Sequence, residues 1–323
     1  MSKPTVYITR KIPKEGLEDL YKHCNVKMNT SKNPPSRAKL LSYAKKSDAL
    51  MSILTEKIDK EVFNANPNLK TVANYAVGYD NLDLKAAKLA GVPVSNTPSI
   101  LAGNAVAQHA MAMILAISRQ LPQADKFLRE GKYKAWDPLL FLGGDMNGKT
   151  LGIIGGGRIG SALVNIASEG YEIEILYCDV VQNKELEKKF KAKKVNLKQL
   201  LNKSDYISLH VPLLPSTKHM IGAKEFSQMK ESAILVNTSR GPVVDEKALV
   251  NALKSKKIAG AGIDVYENEP KLTPGLIKLT NVVLTPHIAS ATHAARKEMG
   301  EIATNNILDV LIRNRRPRNE IKI

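Results

Sequence analysis

The chain reads as an α/β protein built on two parallel sheets, each covered by helices on both faces, and three observations carry that reading. Two separate series of short apolar runs alternate with helix-like segments, the pattern that parallel sheets produce because each crossover needs a helix. The runs of the second series are almost continuously apolar, as strands buried on both faces should be. The 323 residues, 43% of them hydrophobic, supply enough chain to bury two cores.

The first series predicts strands at Val6–Thr9, Asn25–Met28, Ala49–Leu54, Thr71–Tyr75 and Val92–Ser95. Helical patterns such as Gly16–Lys22, Arg37–Lys45 and Lys60–Ala65 fall between them, and Gly91-Val92-Pro93 ends a helix and opens the last strand. A long helix is expected from Asn104 to about Arg119. Its small residues (AVAQHAMAMILAIS) suit either a core position or the close approach of another helix or chain. Leu121–Gly148 reads as irregular, with Trp136-Asp137-Pro138 at its centre and Gly143-Gly144 and Asn147-Gly148 as turn signals. The second series predicts strands at Leu151–Gly155, Glu174–Cys178, Tyr206–Val211, Ile234–Thr238, Gly260–Val265 and Val282–Thr285. A final amphipathic helix, Thr292 to about Arg313, has no strand of its own to serve. It is expected to cross back to the first domain, giving a discontinuous domain of residues 1–99 and 289–323 around a second of 100–288.

Bulk properties narrow the function. The formal charge is +17, and Lys188–Lys194 and the tail Arg313-Asn314-Arg315-Arg316-Pro317-Arg318 are basic. A single aromatic residue, Phe190, stands in these runs, short of the interleaving a single-strand binder would need, so a nucleic-acid partner is not favoured. Lysines spread over helix faces are simply solvated, and they attract anionic substrates and cofactors. Apolar stretches such as Ala110–Ile117 fall short of the roughly 20 residues of a membrane span, so none is expected. Met1-Ser2-Lys3-Pro4 leads directly into a strand pattern, and no signal peptide is expected. Cys24 and Cys178 lie far apart and in no metal-ligand spacing. They read as reduced thiols of a cytoplasmic protein without a metal site.

Gly155-Gly156-Gly157-Arg158-Ile159-Gly160 follows a predicted strand and opens a helix over Ile159–Ser168. In that context the turn offers free N–H groups and the positive end of a helix to a pyrophosphate, and its glycines admit close backbone approach. The next strand ends at Asp179, nineteen residues on (179 − 160), where a carboxylate accepts hydrogen bonds from both adenine-ribose hydroxyls. A carboxylate there repels a 2′-phosphate, so the expected cofactor is NAD rather than NADP, although Lys184, Lys188 and Lys189 nearby could soften that preference.

Three ionisable residues lie just past predicted strands of the second series: Arg240, Glu269 and His287. Reduction of a 2-oxo acid needs a fixed cation for the carboxylate, and a guanidinium can also polarise the carbonyl. It needs a proton donor near neutral pH, the natural task of histidine. A carboxylate beside that histidine favours the imidazolium and orients the ring. Each residue alone also has a plain structural reading, and sequence does not show that they converge.

Further stretches join these. Asn74-Tyr75-Ala76-Val77-Gly78-Tyr79-Asp80-Asn81, Leu209-His210-Val211-Pro212-Leu213, Asn237–Pro242, Gly262–Tyr266 with Glu269-Pro270, and Pro286–Thr292 stand in order with the glycine turn and Asp179. Together they resemble the D-isomer-specific 2-hydroxyacid dehydrogenase family over nearly the whole chain, and within it the glyoxylate/hydroxypyruvate reductases. The resemblance implies two Rossmann-like domains, a flavodoxin-like substrate domain and an NAD-binding Rossmann domain, with a cleft between them. It implies that Arg240 binds substrate, that His287 is the acid–base with Glu269 as partner, and that the Val77-Gly78 backbone holds the substrate carboxylate. Leu54, in Ser52-Ile53-Leu54-Thr55-Glu56, is expected to touch substrate. Asp264 is assigned to the nicotinamide carboxamide, and Val106, Val211, Pro212, Thr217, Thr238, Ser239 and Ala289 to the rest of the cofactor. A homodimer through the cofactor domain is implied, with Trp136 reaching toward the neighbouring subunit's substrate.

Two positions depart from the family pattern: Gln108 where an acid is common, and Ala289 where glycine is frequent. The second bears on substrate size. His210 follows a strand and reads first as a structural histidine, with help in positioning the cofactor through its neighbours as the alternative. His109 and His293 have no partner in reach by sequence, and His23 and His219 sit near helix or turn ends. A phosphoglycerate-type or other D-2-hydroxyacid dehydrogenase, and an NAD-sensing protein like the corepressors built on this fold, stay open as alternatives.

Overall fold

Five short strands open the chain: β1 (Thr5–Ile8), β2 (Asn25–Met28), β3 (Ala49–Ser52), β4 (Thr71–Asn74) and β5 (Val94–Ser95). Seven more follow: β6 (Thr150–Ile154), β7 (Glu174–Cys178), β8 (Lys193–Lys194), β9 (Tyr206–Leu209), β10 (Ile234–Asn237), β11 (Gly260–Ile263) and β12 (Val282–Leu284). The structure, a computed structural model, describes residues 2–322. Chain contacts divide it into Met1–Ala102 with Ala291–Ile323, and Gly103–Ser290.

In the first unit the sheet order is β2-β1-β3-β4-β5 with every pairing parallel, the flavodoxin-like winding. The helix His293–Leu311, capped by Thr292, packs on β3 and β4, so the unit is discontinuous. Beyond it the chain returns along the sheet edge, where Ile321 N–H donates to the Val94 carbonyl at 2.9 Å. Asp309, fully buried, holds that return by accepting hydrogen bonds from Arg313, Arg315 and Arg318 at 2.6, 2.8 and 3.0 Å.

In the second unit the order is β12-β11-β10-β9-β6-β7-β8, again all parallel. The winding direction reverses between β6 and β9. In open α/β sheets the crevice at the carboxyl ends of such a pair is where ligands bind. One core lies on each face of this sheet, the first around Leu209, Leu235, Leu249 and Ile263, the second around Ile153, Leu163, Tyr177 and Ile114.

Three expectations change. The long helix starts at Ile100 rather than Asn104, because Ser99 Oγ accepts from Ala102 N–H at 2.8 Å and Glu298 accepts from Leu101 N–H at 2.9 Å, which caps the first turn. The same contacts hold residues up to 102 in the first unit, beyond the expected boundary at 99. This helix, Ile100–Ser118, is long and apolar enough by composition to cross a membrane, but half of it is buried in the protein, where Ala107, Ala110, Ile114 and Ile117 join the core. Finally, Leu121–Gly148 is not irregular throughout. A helix runs over Leu121–Arg129 with Pro122 in its first turn, where proline needs no N–H partner. None of its residues is buried, so the core leaves no mark on its sequence.

Candidate active site

Strands that all run parallel put their carboxyl ends on one edge of the sheet, and the glycine turn, Asp179, His210, Arg240, Glu269 and His287 all follow strands that end there. The β6 end carries Gly155, whose backbone is left-handed at φ +99°. A Cβ on Gly155 would stand 2.6 Å from the His210 carbonyl oxygen, and one on Gly160 would stand 2.2 Å from the Gly155 carbonyl oxygen. Only glycine lets the β6 turn, the β9 turn and the helix Arg158–Gly170 meet at this spacing. Gly157, the residue that caps this helix, has no atom within 4 Å of its missing Cβ and no side-chain cap on the helix behind it. The helix start therefore faces open space with first-turn N–H groups directed at it.

Asp179 stands one strand away, past β7. Its carboxylate accepts from Gly156 N–H at 2.7 Å and Val181 N–H at 3.0 Å, which ties it to the glycine turn. On the other side, His210 donates or accepts with Ser208 at 2.9 Å, and burial pushes its pKa down to about 4, so the ring is neutral near pH 7. His210 Nδ1 and Thr238 Oγ1 are buried without a protein partner, two polar atoms at this edge that a polar ligand can satisfy. The open helix start, the acid at the next strand end and these unpaired atoms fit a dinucleotide. Among the described residues no three metal-ligating side chains come together.

Three adjacent strand ends, β10, β11 and β12, bring the ionisable groups together. His287 Nδ1 lies 3.0 and 3.2 Å from the two Glu269 carboxylate oxygens. A carboxylate only accepts, so Nδ1 carries the hydrogen and Nε2 is left for another partner. Glu269 is fixed in turn by Tyr266 N–H at 3.0 Å. Burial raises the Glu269 pKa, but the hydrogen bonds from His287 and the Tyr266 backbone and the charges of His287 and Arg240 outweigh it, leaving the carboxyl below its usual value. Arg240 thus sits within electrostatic reach of the pair. Its loop is pressed against the Glu269 loop, since a Cβ on Gly241 would stand 1.9 Å from the Tyr266 carbonyl carbon. Asn237, at the end of β10, shapes the Arg240 turn by donating to the Arg240 carbonyl at 2.9 Å and accepting from Ser239 N–H at 3.0 Å.

His287 adopts φ +55°, a left-handed backbone that costs about 1–3 kcal/mol in a residue with a Cβ. Asp264 holds it there. The Asp264 carbonyl accepts from His287 N–H at 2.8 Å, and its carboxylate accepts from Ile288 N–H at 2.8 Å and Ala289 N–H at 2.9 Å.

The model of the D-isomer specific 2-hydroxyacid dehydrogenase NAD-binding domain matches residues 111–289. A glyoxylate reductase from Korarchaeum cryptofilum is 48% identical over 309 residues, covering 95% of this chain and 92% of that protein. The chain belongs to the D-isomer specific 2-hydroxyacid dehydrogenase family. Among solved structures, a glyoxylate reductase from Paecilomyes thermophila superposes with a TM-score of 0.86 at 34% identity, covering 99% of both chains. An NADPH-dependent glyoxylate/hydroxypyruvate reductase from Sinorhizobium meliloti, solved with NADP and malonate, gives a TM-score of 0.84 at 29% identity, covering 99% of this chain and 97% of that one. The protein is therefore a 2-hydroxyacid dehydrogenase that uses a nicotinamide cofactor.

The remaining candidate residues of this dehydrogenase are placed as follows. Val106 lies half-buried on the helix Ile100–Ser118. Past β9, Thr217 closes the turn that starts at Val211 and Pro212, donating to the Pro212 carbonyl at 2.6 Å. Ser239 donates its hydroxyl to Asn237 at 2.8 Å. Three of the roughly four acceptor positions on the Asp264 carboxylate are taken by Thr285, Ile288 and Ala289. Trp136 is 78% exposed. In the first unit, Leu54 follows β3 and Val77-Gly78 follow β4, and the two loops are stitched together. Asn81 donates to the Ile53 and Glu56 carbonyls at 3.0 Å, and Asn74 donates to the Gly78 carbonyl at 3.0 Å.

Sequence reasoning passed over Asn237, Thr285 and His109. His109 does have a partner: its Nε2 lies 3.0 Å from Thr285 Oγ1, 176 residues along the chain. No spacing rule could have found that pair. Asn237 was visible as a polar residue ending an apolar strand.

Proposed function

We propose that the protein reduces small 2-oxo acids, glyoxylate and hydroxypyruvate foremost, to glycolate and D-glycerate, with NADH as reductant. The hydrogen-bonded His287–Glu269 pair beside the Arg240 loop carries this reading, and the name of the Korarchaeum relative supports the substrate. When bound, the nicotinamide supplies the hydride. The Arg240 guanidinium holds the substrate carboxylate and polarises the carbonyl, while His287, with Nδ1 committed to Glu269, delivers the proton from Nε2 to the new alkoxide. Glu269 keeps its negative charge throughout, which stabilises the imidazolium that donates. Leu54 and the Val77-Gly78 backbone are assigned to substrate as well.

NADH is preferred over NADPH on this reading because the Asp179 carboxylate would face a 2′-phosphate. The next residue, Val180, is almost fully exposed and has no charge of its own, and a cation there, Lys194, donates to the Val180 carbonyl at 3.4 Å. The Sinorhizobium relative was solved with NADP, so the preference is a property to test in this chain. A homodimer through the second unit fits the apolar side chains that Leu121, Leu128, Trp136, Leu139 and Leu142 leave in water, with Trp136 directed at the partner's substrate.

One assay tests the proposal: NADH and NADPH oxidation with glyoxylate, hydroxypyruvate and pyruvate. Turnover of roughly 1–1000 per second on the first two, with NADH favoured at least about tenfold in kcat/KM, is expected. Absence of turnover on all three would remove the substrate assignment, and equal use of NADPH would remove the role given to Asp179.

A further inference from the structure

We propose that His109 is a positioning residue for the acid–base turn, acting on His287 through Thr285 and Asp264. The inference rests on the assignment of His287 as proton donor and goes one layer behind it.

The register of one helix on one strand brings His109 to this place. The helix Ile100–Ser118 lies directly on β11, so close that a Cβ on Gly260 would stand 2.6 Å from Ile117 and one on Gly262 would stand 2.9 Å from the Met113 Cβ. Two residues along the strand answer one turn of the helix, and the next step brings Asp264 under His109, with Nε2 3.8 Å from Oδ1. A histidine one position away on that helix would miss the carboxylate.

Hydrogen-bond bookkeeping then fixes the direction of the chain. The Thr285 hydroxyl has one hydrogen, and it goes to Asp264 Oδ1 at 2.6 Å. Thr285 Oγ1 must therefore accept from His109, so Nε2 at 3.0 Å carries a hydrogen. His109 orders Thr285, Thr285 orders the Asp264 carboxylate, and that carboxylate holds Ile288 N–H and Ala289 N–H, the two amides that follow His287. The charged and titratable groups around this chain are Asp264 itself, His287 and Glu269 past the strand ends, and the Tyr266 hydroxyl, whose one hydrogen is shared between the Thr285 carbonyl at 2.9 Å and the Ile263 carbonyl at 3.2 Å. Asp264 is 0% exposed, so its charge has no water to fall back on if Thr285 is not held. The left-handed turn at His287 persists only while its surroundings over-determine it.

Four variants and two readouts test this. His109→Leu and Thr285→Val break the chain, while His109→Gln and Thr285→Ser keep a donor in place. Amide hydrogen exchange of the 286–290 segment, which needs no substrate, should quicken on the order of tenfold in the first two and stay near wild type in the others. Reduction should fall by a similar factor in kcat with little change in KM. The His109→Leu Thr285→Val double variant should be no worse than either single one, because both break the same chain. If His109→Leu fails to fold, Thr285→Val carries both readouts. Unchanged exchange at 286–290, or strictly additive losses, overturns the proposal even if wild-type turnover is high. Absence of wild-type turnover would instead strike the acid–base assignment and leave the exchange result standing.

Discussion

At the residue scale, the site works through what each side chain can and cannot do. Glu269 can only accept, which commits His287 Nδ1 as the donor and leaves Nε2 as the ring nitrogen open to another partner. Arg240 offers a planar fork matched to a carboxylate, and lysine offers only a point charge. Arg240→Lys should therefore lose roughly 100-fold or more in kcat/KM for glyoxylate. Steady-state kinetics check this, and a variant keeping most of its turnover would mean the guanidinium does something else. Arg240, Glu269 and His287 were legible in the sequence because charged residues past apolar strand ends stand out. Their convergence was not, since it depends on strands β10, β11 and β12 lying side by side. His109 was illegible for the same reason: its partner is set by a strand pairing, not by chain distance.

The strands and the turns that leave them are the next scale. Strand positions could be read because buried parallel strands must be apolar along their length, as the fully buried Ala49–Ser52 and Ile234–Asn237 show. The edge strand β8, two exposed lysines, has no such constraint and left no signal. The helix Leu121–Arg129 escaped for the same physical reason, having nothing buried. Among the turns, the one after β6 has little freedom. Gly155→Ala would have to adopt φ +99° and push on the His210 carbonyl. The variant should lose about 1–3 kcal/mol of stability and at least tenfold in NADH affinity, measured by urea melts and by fluorescence titration. Affinity equal to wild type would show that the turn does not cradle the dinucleotide.

At the scale of the whole molecule, a chain that leaves its first unit after Ala102 must come back to finish it, and Asp309 secures that return. Burial pushes the Asp309 pKa up, but hydrogen bonds from Arg313, Arg315 and Arg318 prevail and hold it below its ordinary value of 3.8. A group with a depressed folded pKa stabilises the fold above its unfolded value and loses that contribution as pH falls through the folded one. Asp309→Asn should accordingly cost about 1–3 kcal/mol at pH 7, with the gap from wild type closing at pH values below about 3.8. Melts across pH 2–7 read this directly. A gap that stays constant into acid would assign the loss to packing rather than charge.

The central claim is that Glu269 sustains His287 as the proton donor of 2-oxo acid reduction, and the pH dependence of kcat for glyoxylate in wild type and Glu269→Gln probes it most directly. Reduction needs a protonated donor, so the rate fades as pH rises, and removing the neighbouring negative charge should move that fading to lower pH. An alkaline limb at the same pH in both proteins would contradict the account.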